Sequence, residues 1–269
     1  MRELFKHIVL RYTPEVCLRY LRQVHYAQKI SAAAPEPEMQ VINHLVPRGG
    51  IVVDLGANFG LYTRYLSVMV GEAGCVHSIE PIPSTFQALS HNVKHLGLKN
   101  VSLWNRAISD CPGEVSMGIP SYERGGENFY EARILSNGSV SSTPLKTVKV
   151  TATTVDDLSR GLTGLDFIKC DVEGHEGAVL RGALETIRFF QPAWMIEVSG
   201  NPDDPESSAY QLVALMADFG YDIYRYDGIQ LKRRCTGDRA VNYFFLMPLH
   251  LPLLPAAMLD ASSVLPALA

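Results

Sequence analysis

The chain has 269 residues, 24 Lys and Arg against 28 Asp and Glu, a formal charge of -4, and 47% hydrophobic and 19% charged residues. This is a globular composition with enough length for a large core. The absence of a basic excess argues against a nucleic-acid partner, and no run reaches the roughly 18 apolar residues of a transmembrane segment. Cys17, Cys75, Cys111, Cys170 and Cys235 are widely spaced, without a Cys-x-x-Cys pair. With no secretory pattern at the N-terminus, they point to free thiols in a cytoplasmic protein.

Residues 1–37 are expected to form a helical extension and linker: Leu4, Ile8, Val16 and Leu21 recur among basic residues, Pro14 divides the stretch, and Pro35 and Pro37 end it. The main domain is expected at 38–248, entered by a helix over 38–45. Ile51-Val-Val53 is too short and too β-branched for a helix and suits a buried strand. It runs into Asp54-Leu-Gly-Ala-Asn-Phe-Gly60 and then a helix from Leu61. Gly56 and Gly60 allow a close backbone approach, and the amides of this turn are expected to face a ligand. Cys75–Ile79 is the second strand, ending in Glu80, where a carboxylate can accept both hydroxyls of a ribose. The glycine spacing is not the dinucleotide pattern, and Asp54 would repel a pyrophosphate but hold an ammonium group. Asp-x-Gly-x-x-x-Gly with an acid closing the next strand is similar to the cofactor site of class I S-adenosylmethionine-dependent methyltransferases.

Pro81 stops the second strand, and a helix capped by Ser84 runs to Leu96. Val101–Asn105 reads as the third strand, with Asn105 and Ala107 beside the adenine of the expected nucleoside. Residues 112–150 form an insertion of two mutually paired strands, at 114–119 and 146–153, around a Ser- and Gly-rich excursion at 120–145. Tyr122, Phe129 and Tyr130 make that excursion a candidate substrate-facing segment. Leu165–Cys170 is the fourth strand and delivers Asp171, Glu173 and His175 to the ligand-binding edge. An amphipathic helix follows over 178–189, then a strand over 193–198 whose Glu197 can reach the same rim. A helix over 206–219 and strands over 221–226 and 241–247 close the domain, with Lys232-Arg-Arg234 in a solvated loop between the strands. The apolar tail, 249–269, is expected to fold back on the body or to meet a second copy of the chain in a homodimer.

Asp166-Phe-Ile-Lys-Cys-Asp-Val-Glu-Gly-His-Glu176, Val179-Leu-Arg-Gly-Ala183 and Pro192-Ala-Trp-Met-Ile-Glu197 closely resemble a signature of the FkbM family of methyltransferases. Val53-Asp-Leu-Gly-Ala-Asn-Phe-Gly60 with Glu80-Pro81 resembles another. The resemblance implies a class I α/β fold: a Rossmann-like, doubly wound, seven-stranded sheet, mostly parallel with the last strand antiparallel. It implies S-adenosylmethionine as cofactor, S-adenosylhomocysteine as product, and methylation of a hydroxyl on a small-molecule sugar or natural product. Asp54, Gly56, Asn58, Gly60, Glu80 and Pro81 fall on or beside cofactor-binding positions, and Asp171, Glu173 and His175 lie beside the transfer site. Either His175 or Glu173 accepts the hydroxyl proton while Asp171 orients cofactor or substrate. Asp171 and Glu173 could instead cap the following helix. A metal on Asp171, Glu197 and His175 is demanded by no spacing, so none is assigned. An N-methyltransferase and a non-catalytic cofactor-binding module are the alternatives.

Overall fold

The structure is a computed structural model that describes residues 30, 32, 34–121, 128–135 and 145–260. Tyr122, the side chain of Tyr130, residues 1–29 of the expected N-terminal extension and residues 261–269 of the tail lie outside the described residues.

Helix α1 (Met39–Leu45) leads into β1 (Ile51–Leu55), α2 (Leu61–Val70), β2 (Cys75–Ile79), α3 (Pro83–His95) and β3 (Val101–Trp104). Strands β4 (Ala107–Ile108), β5 (Gly113–Pro120), β6 (Arg133–Ile134) and β7 (Leu145–Thr153) form a separate four-stranded sheet in the order β4-β7-β5-β6. The chain then returns through α4 (Val155–Ser159), β8 (Phe167–Cys170), α5 (Glu176–Arg181), α6 (Leu184–Phe190), β9 (Ala193–Glu197), α7 (Ser208–Asp218), β10 (Asp222–Tyr226), β11 (Leu231–Arg233) and β12 (Asn242–Leu246). The main sheet has the order β3-β2-β1-β8-β9-β12-β10-β11. The run from β3 to β9 is parallel, and β12 pairs antiparallel with both neighbours.

The expected class I fold is present, and its seven strands carry an eighth. Lys232 and Arg233 lie in β11, not in a loop: the chain turns at Asp227, whose Oδ1 accepts the Ile229 and Gln230 amides, and pairs back on β10. The expected helix over 178–189 starts at Glu176 and is broken between α5 and α6. There the Gly182 carbonyl accepts the Asp156 amide, and a Cβ on Gly182 would lie 2.2 Å from the Ser109 carbonyl oxygen. Ser84 does not cap α3, which starts with Pro83 at its first turn, a position that needs no amide donor.

The β-branched strands explain the layering. Alternation places Val52, Val76, Phe167 and Met195 on one face under α1 and α2, and Val53, Ile168, Trp194 and Ile196 on the other under α5, α6 and α7. Each such buried side chain contributes about 1.5–3 kcal/mol. A smaller core of Ile82, Ala107, Met117, Ile119 and Val150 binds the second sheet to the loop after β2. The tail folds back as far as it is described: Leu254 is buried, Leu259 bridges Leu231, and His250 joins the Met247 amide to the Gln191 carbonyl.

Candidate active site

After β1 the chain turns through Gly56, Asn58 and Gly60, with φ of 74°, 50° and 94°. Parallel pairing of β1 with β8 dictates the first glycine, because a Cβ there would lie 1.7 Å from the Asp171 carbonyl oxygen. Four amides of this turn are bonded within the protein, where outward-facing donors were expected. Those of Gly56 and Ala57 donate to the Ile79 carbonyl (3.0 and 2.9 Å), that of Gly60 to Ala57, and that of Asn58 to Glu80 Oε2 (3.0 Å). Glu80 Oε1 accepts the Ile82 amide (2.9 Å), so the carboxylate is rigidly oriented. Burial pushes its pKa up to about 7 despite those two donors. Asn105 donates to the Glu80 and Pro81 carbonyls (2.8 and 2.9 Å) and fixes the same loop from outside, where it was expected beside the base.

Glu80 lines a cavity together with Gly56, Asn58 and Pro81. Ile79, Ile82, Ala107 and Ile108 provide its apolar wall, Met117, Phe129, Ala132 and Ile134 come from the second sheet and the turn before β6, and Asp171, Val172 and Glu173 complete it with Arg106. One fixed carboxylate among apolar surfaces fits a nucleoside, with a diol on Glu80 and a flat base against the wall. The expected residues thus meet in one cavity, with four exceptions: Asp54, Gly60, Asn105 and His175 are not among its walls. Gly60 instead begins α2, packed so that a Cβ would lie 2.7 Å from Leu89 Cδ1.

Asp54 was expected to hold an ammonium group directly, yet it is sealed behind the turn with no exposed surface. Its Oδ2 accepts from the Thr63 hydroxyl (2.6 Å), which also meets Ser78 Oγ (2.9 Å), and its Oδ1 has no hydrogen-bond partner. Burial raises its pKa, and Lys169 opposes the shift. Lys169 is the residue that sequence reasoning missed. It stands in register with Asp54 on the neighbouring strand, its ammonium donates to Asp171 Oδ2 (2.8 Å), and it lies 4.6 Å from the centre of the Tyr62 ring. Burial disfavours its charge, but Asp171 and Asp54 outweigh that and push its pKa up to about 12. Tyr62 in turn donates to Glu36 in the segment before α1.

Asp171, Glu173 and Glu197 bring carboxylate oxygens within 4.8 Å of one another, close enough for their charges to interact. Burial and the surrounding acids Asp171, Glu197, Glu176 and Glu131 push Glu173 up to about 7. Neither Asp171 nor Glu173 caps α5: Asp171 is bound by Lys169, and the Gly174 amide goes to Glu176 Oε1 (2.8 Å). Left-handed φ at Glu173 (54°) and Gly174 (86°) turns the chain, and His175 bonds to Ser109 Oγ (2.9 Å) beside β4. Burial lowers its pKa below the ordinary histidine value, against the pull of Asp110.

A family model described as the methyltransferase FkbM domain matches residues 54–223, more than half of the chain and all of the cavity's strand ends. The chain belongs to the FkbM family of methyltransferases, whose methyl donor is S-adenosylmethionine. This FkbM protein is 25% identical over 203 residues to a methyltransferase of Sordaria araneosa, covering 67% of this chain and 76% of that one. Its fold is similar to the FkbM methyltransferase of Methylobacillus flagellatus (17% identity, TM-score 0.48), covering 84% of this chain but only 59% of that protein. It is also similar to a methyltransferase of Aquifex aeolicus (18% identity, TM-score 0.43), covering 81% and 96% of the two chains. Among the described residues, no helix of this FkbM protein is long and apolar enough to cross a membrane.

Proposed function

We propose that the protein transfers a methyl group from S-adenosylmethionine to a hydroxyl of a small sugar or natural-product acceptor, with Glu173 as the general base. The observation that carries the reading is one cavity holding both a rigid carboxylate suited to a ribose, Glu80, and a carboxylate poised near neutrality, Glu173. S-adenosylmethionine supplies the methyl group, its carbon–sulfur bond breaking with the electron pair left on sulfur. Glu173 takes the hydroxyl proton as the acceptor oxygen forms its new bond to carbon, because an alcohol is a poor nucleophile until a base removes that proton. Glu80 binds the ribose hydroxyls, Ile82, Ala107 and Ile108 hold the adenine, and Asp171 orients the reacting groups from the opposite side of Gly56. Asp54 acts from behind the turn, as the buried counter-charge to Lys169. His175 is assigned to holding the loop through Ser109, not to taking the proton.

Methyl transfer from radiolabelled S-adenosylmethionine to a panel of sugars and hydroxylated natural products tests the reading. Label should enter a hydroxyl with wild-type protein and be lost with Glu173→Gln. A product methylated on nitrogen would overturn the choice of oxygen. Binding of S-adenosylhomocysteine without turnover on any acceptor would support a cofactor-binding module instead.

A further inference from the structure

Among the described residues that line the cavity, Arg106 is the one cation, and the proposed reaction leaves it without a task. It is half-buried, and its guanidinium makes no hydrogen bond or ion pair with any other described residue. The carboxylates of the same cavity do not hold it: the oxygens of Glu80 accept the Asn58 and Ile82 amides, and Asp171 Oδ2 accepts from Lys169. A guanidinium kept beside apolar surface with no acceptor carries a cost that a ligand in the cavity can remove.

The strand register says which part of a ligand Arg106 meets. Trp104 stands beside Ile79 across β2 and β3, and its carbonyl accepts the Glu80 amide (3.0 Å). Asn105 then bonds to the Glu80 and Pro81 carbonyls (2.8 and 2.9 Å), and Ala107 is buried in the apolar wall. Between those two residues, Arg106 is carried past the acid suited to a ribose and up to the wall suited to a base. The side chains of that wall, Ile82, Ala107 and Ile108, suit the faces of a flat base but carry no donor for its ring nitrogens. Those nitrogens only accept hydrogen bonds, and a guanidinium only donates them.

We propose that Arg106 is a specificity-determining residue of the donor site, its guanidinium donating a hydrogen bond to a ring nitrogen at the edge of the adenine. This rests on the reading that the cavity takes the nucleoside of S-adenosylmethionine, and it adds that the base is read by a cation and not by shape alone.

The test needs no acceptor. Full-length wild-type and Arg106→Met proteins are titrated calorimetrically with S-adenosylhomocysteine and with its 1-deaza, 3-deaza and 7-deaza analogues, each of which replaces one ring nitrogen by C–H. Arg106→Met should bind S-adenosylhomocysteine about tenfold more weakly than wild type, the effect of losing a hydrogen bond from a charged donor. One of the analogues should lose about tenfold on wild type and less than about twofold on Arg106→Met, while the other two change equally on both proteins. Equal losses on both proteins for all three analogues overturn the proposal, because a guanidinium lying on the face of the base or merely supporting the loop would weaken every ligand alike. Unchanged affinity for S-adenosylhomocysteine in Arg106→Met overturns it as well. If Arg106→Met does not fold, Arg106→Gln is titrated in its place against the same expectations. The two failures are separable: wild type that ignores S-adenosylhomocysteine removes the cavity's reading as the donor site, whereas wild type that binds it with equal analogue losses in the variant removes only the role of Arg106.

Discussion

The proposed reaction gives Glu173 and Glu80 different work, and their carboxylates are held differently. Glu80 is pinned by two amides, while Glu173 stands on a left-handed backbone with acids around it. Glu173→Gln should lower kcat by about 10²- to 10⁴-fold at saturating S-adenosylmethionine, the usual contribution of a general base. The wild-type rate should rise with pH through about 7, where Glu173 loses its proton, and that rise should disappear in the variant. Glu80 also makes a stability prediction. Its folded pKa, about 7, lies above the ordinary 4.5, so the folded state holds the proton more tightly than the unfolded chain. Its stabilising contribution is complete below 4.5 and is lost as pH rises to about 7. Urea denaturation should therefore show Glu80→Gln gaining on wild type between about pH 5 and 7. The acids at the strand ends were legible in the sequence because open α/β sheets gather ligands there. Lys169 was not, because a lysine at one position of an apolar strand reveals nothing until Asp54 is known to be its neighbour across the sheet. His175 stands off the cavity because two successive left-handed residues, Glu173 and Gly174, turn the chain before it and Ser109 meets its ring, neither of which is visible in the motif.

Among the elements, those with a clear period matched closely: β2 is Cys75–Ile79 as expected, and the paired strands of the insertion are β5 and β7. What the sequence hid were contacts between distant segments. The break between α5 and α6 depends on how closely Gly182 approaches Ser109, and β11 depends on an edge of β10 being open to receive it. The turn after β1 is the element least able to change. Gly56→Ala would place a methyl group against the Asp171 carbonyl at an unfavourable φ, and it should cost about 3 kcal/mol or more or prevent folding, as measured by thermal denaturation. The tail is held more weakly. His250→Leu removes an acceptor from the Met247 amide and a donor from the Gln191 carbonyl, and should cost about 1–3 kcal/mol in denaturant unfolding without changing cofactor affinity.

For the molecule as a whole, the main sheet brings β1, β2 and β8 to a common edge, and the second sheet covers that edge to make a cavity. The segment before α1 reaches the same region: Ile30 packs with Phe59 and Phe129, its carbonyl accepts from Arg64, and Glu36 accepts from Tyr62. The sequence placed the strand ends correctly but could not show that Asp54 lies behind the turn while Glu80 faces the cavity, since that depends on which side chains Thr63 and Lys169 present to Asp54. On the proposed function, Glu80 anchors the methyl donor in the cavity that Glu173 completes. Calorimetric titration of full-length wild-type protein and Glu80→Gln with S-adenosylhomocysteine measures that anchoring. Wild type should bind at micromolar concentration and the variant about tenfold or more weakly, the effect of removing a hydrogen bond to a charged group. No binding heat from wild type at millimolar ligand, or equal affinity in the two proteins, would rule out Glu80 as the anchor.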